Sequence, residues 1–158
     1  MKILLVDNTK GSQDEFTQQL FKTLLSIVPN GKVVKCSTVD EVMDEVEVGD
    51  VSAAVLSGSS LNLSQPNTLE VIRRNTSTLL RVGDIPVLGI CFGMQLLCNL
   101  YGGTVKRMKR AFKEEVSILV NSGSMLMSRR PVRMKVMLSH QDYVHTPPRD
   151  FHSFAEHE

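Results

Sequence analysis

The chain of 158 residues has no tryptophan, only three cysteines, almost no net charge and no long apolar run. Each shortage excludes something. Cys36, Cys91 and Cys98 are an odd set without metal-ligand spacing. Neither a disulfide scaffold nor a thiolate metal site is expected from them, and reduced thiols in the cytoplasm are. A net charge of +1 argues against nucleic acid or a membrane surface as a partner. No stretch approaches the roughly 20 apolar residues of a membrane span. The start, Met1-Lys2-Ile3-Leu4-Leu5-Val6-Asp7, has too short an apolar core for a signal peptide and lacks a small-residue cleavage site, so it reads as a first strand. There is no internal repeat and no low-complexity linker, and the length suits one domain over residues 1–158 with a core of its own. No metal and no cofactor are expected.

What is present is an alternation of strand-like and helix-like segments. Short apolar strands are expected at Ile3–Val6, Val33–Cys36, Ala53–Leu56 and Val87–Ile90. Helical spacing of apolar residues fills the gaps at 13–27, 38–46 and 67–80, with Ser37 or Thr38 as an N-cap, and again at 91–100. Gly102-Gly103 closes that last helix. The rhythm predicts an α/β fold with an open, mostly parallel sheet and helices on both faces, flavodoxin-like. After Gly103 only strands are expected, at 104–106, 116–120, 132–137 and 151–155, with turns at Asn121-Ser122-Gly123 and Thr146-Pro147-Pro148. The basic run at 107–113 reads as a solvated face.

The most informative segment is Pro86-Val87-Leu88-Gly89-Ile90-Cys91-Phe92-Gly93-Met94-Gln95. An apolar strand runs into Gly-x-Cys-x-Gly and then directly into a helix. Such a junction pushes its central side chain out at the carboxyl edge of a sheet. The helix that follows aims free N–H groups and its positive end at the same point. A thiol placed there is expected to ionise easily and act as a nucleophile, as serine does in Gly-x-Ser-x-Gly hydrolases. Cys98, farther along that helix beside Leu96 and Leu97, is expected in the core.

Ligands of open parallel sheets sit beyond the carboxyl ends of the strands. Ser57-Gly58-Ser59-Ser60 follows the third strand, and its small residues could bring N–H groups to a substrate carbonyl, with the Phe92 N–H completing an oxyanion hole. Leu138-Ser139-His140-Gln141-Asp142-Tyr143-Val144 reads either as a polar ligand loop after a strand or as a turn with Asp142 as a cap.

These residues resemble class I (triad-type) glutamine amidotransferases, most closely the amidotransferase part of GMP synthase. The Cys91 segment is similar to that family's nucleophile segment, Val55 to Ser60 to its oxyanion loop, and Leu138 to Asp142 to its Ser-His-Gly-Asp loop. The opening strand with its Asp7-Asn8 ending also matches. The resemblance implies glutamine as substrate and a cysteine thioester as intermediate, with ammonia supplied to a synthetase that must be a separate partner subunit. It implies Cys91 as nucleophile, Gly58, Ser59 and Phe92 as oxyanion donors, and Gln95, Gln141 and Asp142 as contacts to substrate.

Two departures from the family pattern bear on activity. The family has Gly-Gly where this chain has Gly58-Ser59, and a Cβ there is expected to hinder the backbone. The family's base is a histidine followed by Pro-Glu on a late strand, and no such motif occurs before Glu158. His157 and Glu158 have the wrong spacing and position to replace it. The resemblance therefore implies a domain truncated at its C-terminal end, with impaired or absent turnover. A non-catalytic binding or regulatory domain of the same fold stays open, as does a γ-glutamyl peptidase-type hydrolase.

Overall fold

The computed structural model describes residues 1–9, 14–65, 68–121 and 131–157. Its elements run β1 (Lys2–Val6), α1 (Glu15–Ile27), β2 (Lys32–Cys36), α2 (Val39–Glu47), β3 (Val51–Leu56), α3 (Leu69–Val82), β4 (Val87–Gly89), α4 (Phe92–Leu100), β5 (Thr104–Val120), β6 (Val132–Thr146) and β7 (Ala155–His157). The first four strands form a parallel sheet in the order β2-β1-β3-β4, and the last three an antiparallel sheet in the order β6-β5-β7.

Strand β1 explains why the parallel sheet carries helices on both faces. Every residue from Lys2 to Val6 is buried, and consecutive side chains point to opposite faces. Leu4 and Val6 join Val42 of α2, Val82 of α3 and Leu97 of α4 in one cluster. Ile3 and Leu5 join Leu24 of α1 and Val28 in another. A fully buried leucine contributes roughly 1.5–3 kcal/mol, so β1 anchors both halves of the core. Helix α2 begins with a capping box, in which the Glu41 N–H donates to Thr38 Oγ1 at 3.2 Å and the Thr38 N–H to Glu41 Oε2 at 3.2 Å. Helix α1 is capped by Asp14, whose carboxylate accepts from the Thr17 N–H at 2.9 Å.

The parallel half follows the sequence reading closely, and the antiparallel half corrects it. The strands expected at 104–106 and 116–120 are one strand, β5, interrupted at 108–111 where the pairing jumps from Arg107↔Asp142 to Phe112↔His140. That bulge holds Lys109 and Arg110 of the basic run, and the cationic side chains of the run are exposed as expected. Leu138 to Val144 is not a loop, because it continues β6 without a break. The strand expected at 151–155 begins only at Ala155. The helix starts expected at Gln13 and Asn67, most of the turn at Asn121-Ser122-Gly123 and the position of Glu158 lie outside the described residues. His157 enters β7, where its backbone pairs with that of Ile118.

Candidate active site

β3 and β4 run parallel and end side by side, at Leu56 and Gly89. The chain then turns at once into α4 through Cys91, which has φ 50° and ψ −106°. A left-handed φ at a residue with a side chain costs about 1–3 kcal/mol and persists only where the surroundings enforce it. Here the flanking glycines let the turn close. A Cβ on Gly93 would press into the Leu56 carbonyl and lie 2.8 Å from the Leu56 Cβ. On Gly89 it would lie 2.6 Å from the Met94 nitrogen. The Ile90 N–H donates to Leu56 O at 3.0 Å and the Gly93 N–H to Ile90 O at 2.9 Å, tying the turn to β3. The Gly-x-Cys-x-Gly spacing is thus a steric requirement of this bend.

Cys91 is exposed, whereas Cys36 and Cys98 are buried, as expected for Cys98. Gly58 sits beside it, since a Cβ built on Gly58 would lie 3.6 Å from the Cys91 Cβ. The expected ease of ionisation is corrected. Desolvation by the surrounding protein pushes the Cys91 thiol above its ordinary pKa, and the hydrogen bond from the Phe92 N–H offsets only part of this. A helix N-terminus lowers a thiol pKa, but here burial outweighs it. Neither Gly58 nor Ser59 takes a left-handed φ, so the backbone angles here are open to a residue with a side chain. The Ser59 hydroxyl instead accepts from the Leu61 N–H at 3.1 Å, bracing the loop.

Cys91, Gly58, Ser59, Gln95, His140 and Asp142 all line one open cleft of about 600 Å³. A smaller lobe of about 260 Å³ adjoins it, with Phe112, Lys113 and Gln141 in its walls. The Phe92 ring is buried against Val71 and Leu96, and its backbone N–H is what reaches the Cys91 sulfur. Gln95 is buried, and its Nε2 donates to Asp142 O at 2.6 Å, tying α4 to β6. Asp142 is buried as well. Its Oδ2 accepts from the Leu63 N–H at 3.0 Å, while Oδ1 has no hydrogen-bond partner among the described residues. The Gln141 Oε1 accepts from Arg107 at 2.9 Å, and the His140 Nδ1 lies 3.0 Å from Asp142 O.

The sequence reading missed what holds the Ser57-Gly58-Ser59-Ser60 loop from behind. Asn8 and Ser57, just past the ends of β1 and β3, are fully buried, as is Asn75 of α3, with Arg74 of the same helix 9% exposed beside them. Arg74 and Asn75 fall within the polar half of an amphipathic helical pattern, so nothing in the local sequence separates them from solvated residues. The Asp7-Asn8 ending of β1 was the one available signal.

The family model for Glutamine amidotransferase class-I matches residues 4–158. The glutamine-hydrolyzing GMP synthase of Petrotoga mobilis is 29% identical over 153 residues, which cover 95% of this chain and 27% of that protein. One subunit of the glutamine-hydrolyzing GMP synthase of Methanobrevibacter smithii is 29% identical over 155 residues, covering 96% of this chain and 73% of that protein. A crystal structure from Thermoplasma acidophilum, also described as a GMP synthase subunit, aligns with a TM-score of 0.76 at 25% identity. That alignment covers 98% of this chain and 72% of the other. The chain therefore spans about a quarter of the Petrotoga protein and nearly three quarters of the two GMP synthase subunits.

Proposed function

The chain belongs to the class I glutamine amidotransferase family, and from that premise we propose that it takes glutamine into the Cys91 cleft and forms a γ-glutamyl thioester there. The observation that carries this reading is a cysteine held at left-handed φ on a strand-to-helix bend, against a small-residue loop, at the carboxyl edge of a parallel sheet. In the reaction the Cys91 sulfur attacks the side-chain amide carbon. The Phe92 N–H, with N–H groups of the Gly58-Ser59 loop, would receive the negative oxygen. The C–N bond breaks, ammonia leaves with an added proton, and water hydrolyses the thioester to glutamate and free thiol. Ammonia passes to a separate synthetase subunit of the GMP-synthase kind, a role supported by the relatives that are named as single subunits of that enzyme. Gln95 and Asp142 serve by shaping the wall of the cleft, where the Gln95 amide is tied to the Asp142 carbonyl.

With desolvation holding the Cys91 thiol above its ordinary pKa, catalysis calls for a base to take its proton. Among the described residues the only imidazole lining the cleft is His140, and its Nδ1 faces the Asp142 carbonyl rather than Cys91. A positioned general base is typically worth about 10²–10⁴-fold, so slow turnover is expected from this form. The same observation favours the second reading, a glutamine-binding domain that turns over little or not at all. Ammonia release from glutamine tests the proposal. Activity lost in Cys91→Ser and kept in Cys98→Ser supports catalysis at Cys91. Equal loss in both refutes the assignment, and cleavage of γ-glutamyl peptides but not glutamine would replace it with a peptidase.

A further inference from the structure

We propose that Asn8 is a positioning residue, whose side-chain amide aims the oxyanion loop at the carbon attacked by Cys91. This rests on the glutamine reading above. Asn8 lies two residues beyond the end of β1 and is fully buried. Its backbone N–H donates to Ser57 Oγ at 2.9 Å, and its Nδ2 donates to Ser57 O at 2.9 Å. The Ser57 hydroxyl in turn donates to Gly58 O at 2.9 Å. The Ser57 N–H is held by Val6 O at 3.0 Å. Every polar group of Ser57 is therefore committed, two of them to Asn8.

The orientation of the Asn8 amide is fixed by chemistry. Arg74 can only donate, and its guanidinium lies 3.2 Å from Asn8 Oδ1. Asn75 donates a second hydrogen bond to the same oxygen at 2.6 Å. Two donors from α3 hold Oδ1, so Nδ2 must face Ser57. Arg74 is held in turn by the Asp7 and Ser37 carbonyls, and the Asn75 Nδ2 also donates to Val71 O at 2.7 Å. The ends of β1, β2 and β3 and the buried face of α3 are thereby joined through one amide.

The consequence reaches the cleft through peptide geometry. In a trans peptide the carbonyl and the next N–H point to opposite sides. Ser57 Oγ holds the Gly58 carbonyl toward the buried side, which commits the Ser59 N–H to the other side. Gly58 and Ser59 both line the cleft beside Cys91. The Asn8 amide likewise holds the Ser57 carbonyl, and removing that donor lets the Ser57-Gly58 peptide rotate and turns the Gly58 N–H with it.

Two reagents separate positioning from mere stability. A glutamine chloroketone reacts at a cysteine through a tetrahedral adduct bearing a negative oxygen, so its rate reads the oxyanion loop. Iodoacetamide alkylates by direct displacement, forms no such oxygen and reads only the thiol. Asn8→Asp keeps an oxygen for Arg74 and Asn75 and removes the donor to Ser57 O. Ser57→Ala removes one hydroxyl and serves if Asn8→Asp does not fold. Loss of one oxyanion donor typically costs about 10²–10³-fold, so a misaimed donor is expected to slow chloroketone labelling of Cys91 at least ~10-fold. Iodoacetamide labelling of the folded variant stays close to that of the parent, even though its melting midpoint falls because the buried Ser57 carbonyl has lost its donor. Equal slowing by both reagents, or slowing by neither, overturns the inference while leaving the glutamine reading intact. A parent chain that reacts with iodoacetamide and ignores the chloroketone overturns the glutamine reading itself, and this inference with it.

Discussion

Replacing Gly93 by alanine tests whether the bend at Cys91 is enforced by packing. The added Cβ would meet the Leu56 carbonyl and lie 2.8 Å from the Leu56 Cβ and 2.9 Å from its carbonyl carbon. Two of these three atoms are backbone in β3, a central strand of the parallel sheet, so none can swing aside as the end of a flexible side chain could. Overpacking of this kind costs about 1–3 kcal/mol, and an unyielding neighbour points to the upper end. Alanine regains up to about 1 kcal/mol of helix propensity within α4. The net expectation is a loss of about 2 kcal/mol. For a domain of this size each kcal/mol moves the melting midpoint by roughly 2–4 °C, giving a fall of about 4–8 °C. Gly58→Ala is the control. Its Cβ would lie 3.4 Å from Phe16 Cε1 and 3.6 Å from the Cys91 Cβ, ordinary contacts at an ordinary φ. It should change stability by no more than about 0.5 kcal/mol. Differential scanning calorimetry on both variants decides. An unchanged midpoint in Gly93→Ala, or an equal fall in both, refutes the packing argument.

Burial and two nearby carboxylates impose a pH dependence at Cys36. Desolvation, aided by Glu41 and Glu45, pushes its thiol up to about 11. The folded chain therefore prefers the protonated sulfur, a preference fully present below the ordinary thiol pKa and lost as pH rises through about 11. Relative to Cys36→Ala, the parent should lose stability on the order of 3 kcal/mol between pH 8 and pH 11.5, and parallel pH profiles of the two chains would contradict this. At Asp142, alanine removes the acceptor of the Leu63 N–H and should cost about 1–3 kcal/mol in urea unfolding. Asp142→Asn keeps that acceptor and should cost clearly less, so equal destabilisation would show that the Leu63 bond is unimportant.

Much of the fold was legible because the parallel half buries both faces of its strands. Ile3 to Val6 and Ala53 to Leu56 are apolar runs for that reason, and amphipathic helices lie between them. The cysteine bend was legible because close packing of α4 on β3 demands two glycines at fixed spacing. The antiparallel half was less so. Ser139, His140, Gln141 and Asp142 are polar because this part of β6 lines the cleft, and hydropathy cannot tell such a strand from a loop. The bulge at 108–111 carries exposed lysine and arginine, which hid the continuity of β5. The acidity of Cys91 was misjudged because the helix N-terminus is visible in sequence and the desolvation that outweighs it is not. Arg74 and Asn75 escaped notice because their partners are carbonyls and an amide contributed by other strand ends.

The role assigned to Cys91 is tested most directly by locating the adduct of a glutamine chloroketone by peptide mass spectrometry, with and without excess glutamine. Modification confined to Cys91 and suppressed by glutamine is the expected result. An adduct on Cys36 or Cys98, or labelling of Cys91 that glutamine leaves unchanged, would contradict it.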